Sequence, residues 1–136
     1  MVTSFFQAKA WQLASLITAI NVLVAGGFSI TGLISPLSIM PTGYSATQAS
    51  FLFAMYAAAR SIPLALMTLV AIYKRAKSAL LVLGTLAGII QLLDVGVGLL
   101  QHDLGKSAGP LVIATLQFCV VLLLRRSVRS TLPSAG

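Results

Sequence analysis

QASFLFAMYAAARSIPLALMTLVAIYKRAKSALLVLGTLAGIIQLLDVGVGLL, residues 48–100, decides the fold. Two apolar runs, Gln48 to Tyr73 and Ser78 to Leu100, flank a basic turn from Lys74 to Lys77. A helix rises ~1.5 Å per residue and a bilayer core is ~30 Å thick, so each run is long enough to cross it. The connection between them is so short that the two spans form an antiparallel hairpin. Each run carries a single charge, Arg60 in the first and Asp94 in the second.

Working outward, the same pattern recurs on both sides. Trp11 to Ile34 and Gly109 to Leu124 are further apolar runs, the latter the shortest. Pro36, Pro41 and Gly43 break the chain between the first two spans, and His102 to Ala108 joins the last two, bounded by Gly105 and Pro110. The expected architecture is all-α: one four-helix transmembrane bundle over residues 1–136, with spans near 11–34, 48–73, 78–100 and 109–124 and a short tail at 131–136. The first run exceeds the ~7–15 apolar residues of a signal peptide and lacks a prompt small-x-small cleavage site, so it reads as a retained span.

Composition agrees. Hydrophobic residues make up 58% of the 136-residue chain, charged residues 8%, and mean hydropathy is +1.01. Soluble domains carry ~25% charged residues, which excludes an ordinary soluble enzyme. Net charge is +7, with Asp94 and Asp103 the two acids against nine bases. All the bases except Arg60 and Lys106 fall in segments that flank the spans: Lys9, then Lys74, Arg75 and Lys77, then Arg125, Arg126 and Arg129. With alternating spans those segments share one side, and the positive-inside rule makes it the cytoplasm, where both termini are then expected. The bases have no interleaved aromatics, so they point to the lipid bilayer as partner and not to nucleic acid. A lone Cys119 excludes an intramolecular disulfide, and the sequence offers no metal-ligating cluster, so no metal or other cofactor is expected.

The candidate site lies within the spans, where polar groups must find partners. Ala87, Gln91, Asp94, Gly98 and Gln101 recur at helical spacing on span three, and Ser15, Thr18, Asn21, Ala25 and Ser29 on span one. Tyr56, Arg60 and Met67 share a face of span two, where Pro63 frees a carbonyl near the arginine. Gly84 and Gly88 allow close helix approach, more readily within the chain than between chains. Arg60 sits ~18 Å and Asp94 ~10 Å from the outer ends of their helices, so a guanidinium leaning outward brings a direct pair within reach. The expectation is a pocket with Asp94 and Arg60 as catalytic residues, and Asn21, Tyr56, Gln91 and Gln117 binding the ligand. His102 and Asp103 are candidates for a proton relay from the surface.

Three stretches, MYAAARSIPLAL (55–66), LLDVGVG (92–98) and DLGKSAG (103–109), resemble a family of small four-helix membrane proteins allied to the DoxX-like group. The resemblance implies the same architecture and makes Arg60 and Asp94 the family's characteristic polar positions. It implies no defined activity. Three functions are carried forward. The first is an integral membrane protein that binds a small lipophilic molecule, with cofactor-free isomerisation, epoxide opening or cyclisation as the least demanding chemistry. The second is a proton-coupled transporter, working as a homo-oligomer because four helices enclose little space. The third is an accessory or structural subunit of a membrane complex, with Arg60 and Asp94 as a buried pair that fixes helix register.

Overall fold

The computed structural model describes residues 2–40 and 43–129, and among these every long element is a helix: α1 (Val2–Ile34), α2 (Gln48–Tyr73), α3 (Lys77–Leu100) and α4 (Leu104–Arg129), with a 3₁₀ turn at Pro36–Ser38. All four are long and apolar enough to cross a membrane. The expected tail at 131–136 lies outside the described residues. The limits of α2 and α3 match the hydropathy pattern closely. Those of α1 and α4 do not.

Helix α4 begins five residues earlier than the hydropathy suggests, and the segment expected as a loop is mostly helix. The reason is local. Asp103 caps the helix: its Oδ1 accepts from the Lys106 backbone N–H at 3.1 Å, and its carbonyl accepts from the Ser107 N–H at 3.2 Å. Pro110 lies inside α4 without ending it. At the other end α4 runs on through Arg125 and Arg126, whose long side chains tolerate a helix leaving the bilayer. Helix α1 likewise starts before Trp11, and its 33 residues span about 50 Å, more than a bilayer core.

The two tight turns share one construction. After α2, Arg75 adopts φ 52°, its N–H bonds the Ile72 carbonyl at 3.0 Å, and the Ala76 N–H reaches the Ala71 carbonyl at 2.9 Å. After α3, His102 adopts φ 55°, its N–H bonds Leu99 at 3.0 Å, and the Asp103 N–H reaches Gly98 at 3.0 Å. Both are Schellman closures with a side chain at a position that usually takes glycine. Helix α2 starts on a reciprocal cap, in which Thr47 Oγ1 accepts from the Ser50 N–H and Ser50 Oγ from the Thr47 N–H.

Helices α3 and α4 pack most extensively, α1 lies against α2 and α4, and α2 and α3 touch less. Glycine makes the α3/α4 seam possible. A Cβ on Gly84 would fall 2.9 Å from Gln117 Nε2, one on Gly88 2.9 Å from the Phe118 ring, and one on Gly98 2.9 Å from the Lys106 backbone carbon. The glycine pair Gly84 and Gly88 therefore serves intrachain packing. An apolar core of Ala14, Leu80, Val120 and Leu124, flanked by Trp11, Ile72 and Val128, closes the bundle at the end where the bases gather. Helix α2 is the least enclosed: 17% of its most apolar window is buried, against 28% for each of the other three.

Candidate functional site

The spans' polar side chains fall into two groups with opposite fates. Thr18 and Asn21 on α1, Gln91 on α3 and Gln117 on α4 are all buried. They are held together by hydrogen bonds. Gln91 Nε2 donates to Asn21 Oδ1 at 2.7 Å, Asn21 Nδ2 donates to Gln117 Oε1 at 3.1 Å, and Gln117 Nε2 donates to Thr18 Oγ1 at 2.9 Å. Three helices are thus stitched through one chain of neutral groups. Each amide both donates to and accepts from its neighbours where its position in the chain allows, which is what water-free surroundings demand. Gly84 makes room for this chain, since a side chain there would meet Gln117 and Thr18.

Arg60 and Asp94 behave differently. Both are exposed on the surface of the bundle, and among the described residues the one ion pair is Lys106 Nζ with Asp103 Oδ2 at 3.7 Å. The direct pair that the depths of Arg60 and Asp94 bring within reach does not form within the chain, and neither residue is buried. Helical register explains this. On α2, the residues that turn inward are Ala54, Ala58, Ser61, Ala65 and Thr68, and Ser61 Oγ accepts from Ser29 Oγ of α1 at 2.9 Å. Arg60 precedes Ser61 by one residue, so it stands about 100° away from that stripe. On α3, the inward stripe runs through Gly84, Ala87, Gly88, Gln91 and Gly98. Asp94 borders it without joining it.

The six residues expected to line one pocket are therefore divided. Asn21, Gln91 and Gln117 are brought together inside the bundle, and Tyr56, Arg60 and Asp94 stand outside it. The stripe read on span three splits in the same way, with Ala87, Gln91 and Gly98 buried and Asp94 and Gln101 exposed. The proposed relay residues have structural work: Asp103 caps α4 and pairs with Lys106, and His102 occupies the left-handed position of the α3 Schellman closure.

Thr18 is the member of the buried chain that sequence reading did not single out as a contact, although its spacing of three from Asn21 carried the signal. Two surface depressions were also not foreseen. One, of about 790 Å³, is a groove between α3 and α4 lined by Leu81, Thr85, Ile89, Phe118 and Leu122, with Arg125 at its basic end. The other, of about 370 Å³, lies among Gln7, Trp11, Gln12, Arg75 and Lys77. It shows that the start of α1 and the α2/α3 turn share one end of the molecule. Among the described residues no group of His, Cys, Asp and Glu side chains could hold a metal ion.

Comparison with protein-family models, curated proteins and solved structures finds no match. Nothing in these comparisons links the chain to the DoxX-like group, and the functional argument rests on the geometry.

Proposed function

We propose that this chain is a small membrane subunit that works by lateral assembly, with Arg60 and Asp94 as its docking charges. One observation carries the reading: both charges lie within apolar spans, exposed and without an ion-pair partner among the described residues. A charge at mid-span costs about 3 kcal/mol on translocon-derived scales, so it is usually paired or put to use. Here the partner has to come from outside the chain. The amide chain of Asn21, Gln91 and Gln117 supports the same reading, because those buried amides are bonded to one another and to Thr18 and offer the two charges no partner. The basic helix ends would face the cytoplasm under the positive-inside rule.

The test compares Arg60→Ala and Asp94→Asn with the wild type by two readouts. Thermal stability of the isolated chain in detergent should hold, and the assembled species extracted from membranes should disappear on native electrophoresis. Loss of stability in the isolated chain would place the two charges in an intrachain role and overturn the reading.

A second reading is favoured by the groove between α3 and α4. Its apolar walls and terminal Arg125 suit a lipophilic molecule with an anionic end. Mass spectrometry of small molecules that co-purify with the wild type and with Arg125→Gln tests it. A compound enriched on the wild type alone supports this reading, and identical lipid profiles count against it.

A further inference from the structure

We infer that the partner of Arg60 and Asp94 is a second copy of this chain, with Arg60 of one copy paired to Asp94 of its neighbour. The inference rests on the assembly reading above and names its partner. Three features of the molecule support it.

The first is charge balance. Within the apolar middle of the spans, each chain carries one positive and one negative group, while the remaining bases sit at helix ends or, as with Lys106, next to Asp103. A closed assembly of identical chains therefore leaves no in-membrane charge unpaired, whatever its number of copies. A different protein would have to bring both complementary charges at matching depths.

The second is depth and direction. Copies related by an axis normal to the membrane keep their depths, so Arg60 and Asp94 of neighbouring chains stay offset by about 8 Å along the normal, as they are within one chain. Cα–Cβ bonds lean toward the helix N-terminus. Helix α2 starts at Gln48, at the end away from the bases, so Arg60 leans away from the basic end. Helix α3 starts at Lys77, at the basic end, so Asp94 leans toward it. Each side chain thus tilts toward the level of the other, and the long arginine stem covers much of the offset.

The third is available surface. The charge that needs a partner sits on α2, the least enclosed helix, beside exposed Ala57 and Ala59, which let another helix approach closely. Asp94 lies on the flank of α3 opposite Thr85 and Ile89, so it is turned away from the α3/α4 groove. Neither position competes with the intrachain seam.

Mixing decides the matter. Arg60→Ala and Asp94→Asn, each carrying a different fluorophore, are reconstituted alone and together in dilute phosphatidylcholine vesicles, and copies are counted by single-molecule photobleaching. Wild type should be oligomeric, and each variant alone should shift at least tenfold toward monomer. The mixture should form two-colour species, because Asp94 of the first variant still meets Arg60 of the second. An intrachain pair cannot be restored by mixing. In a cysteine-free Cys119→Ser background, Ala57→Cys on one copy and Ile90→Cys on the other should form an interchain disulfide on oxidation. These two positions lie one turn from Arg60 and Asp94 and at nearly the same depth.

A monomeric wild type, or single variants as oligomeric as the wild type, would overturn the inference. So would a mixture without two-colour species. The assembly reading would survive the first of these results if a photo-crosslinker at position 57 still captured a different protein in native membranes in an Arg60-dependent way. It would fail as well if no Arg60-dependent partner were found there.

Discussion

Asn21, Gln91, Gln117 and Thr18 share the middle reaches of one bundle with Arg60 and Asp94, yet the first group is buried and hydrogen-bonded and the second is exposed and has no ion pair among the described residues. The difference follows from what each group demands of its surroundings. A carboxamide carries a donor and an acceptor on one side chain, so a short run of amides can satisfy itself across three helices. A guanidinium or a carboxylate offers one kind of group only and needs an opposite charge. The chain meets the first demand within itself and leaves the second open at its surface.

The largest test of this contrast is Gly84→Val. The new side chain would press on Gln117 Nε2 and Val121 at once, and should lower stability by about 3 kcal/mol by separating α3 from α4. Equilibrium unfolding in mixed detergent micelles measures the loss. A change within experimental error would mean that the α3/α4 seam is looser than its glycines imply.

Gln117→Leu comes next. It keeps the volume and removes the middle of the hydrogen-bonded chain, stranding the Asn21 Nδ2 donor, and should cost about 1.5 kcal/mol on the same assay, near the upper end for hydrogen bonds within membranes. An unchanged unfolding curve would reduce the amide chain to a coincidence of packing.

His102→Gly runs in the opposite direction. His102 sits in a left-handed backbone conformation that glycine adopts freely, so the replacement should raise stability by about 0.5 kcal/mol once glycine's greater freedom in the unfolded chain is counted. A loss of stability would show that the His102 side chain contributes contacts beyond its turn.

The smallest expected effect is the most telling for the comparison. Arg60→Leu should change the stability of the isolated chain by no more than about 0.5 kcal/mol, since an exposed group with no partner gives up nothing on removal. The assembled form should be lost all the same. If Arg60→Leu cost the isolated chain as much as Gln117→Leu, the distinction between an inner scaffold and an outer docking pair would collapse.

Much of the scaffold is legible in the sequence, and the outward placement of Arg60 and Asp94 is not. Asn21, Gln91 and Gln117 were expected to point inward and do, because polar residues at helical spacing in an apolar run have few other places to go. Arg60 and Asp94 were expected to join them on the strength of the same rule, and there it was incomplete. The rule requires a partner and does not say that the partner belongs to the same chain. The start of α4 was misplaced for a local reason: hydropathy cannot register a helix that is capped by polar Asp103, starts at Leu104 and passes through Lys106 before it becomes continuously apolar.

Four helices, each long and apolar enough to span a bilayer, and basic segments gathered at one end all follow from the order of residues along the chain. These properties depend on the length, hydropathy and order of segments, which are additive along the chain. Which face of each helix turns inward is settled by the packing of the helices on one another. That choice depends on where glycines let two backbones meet. With Gly84, Gly88 and Gly98 fixing α3 against α4, the amides close on one another and the two charges are left on the outside.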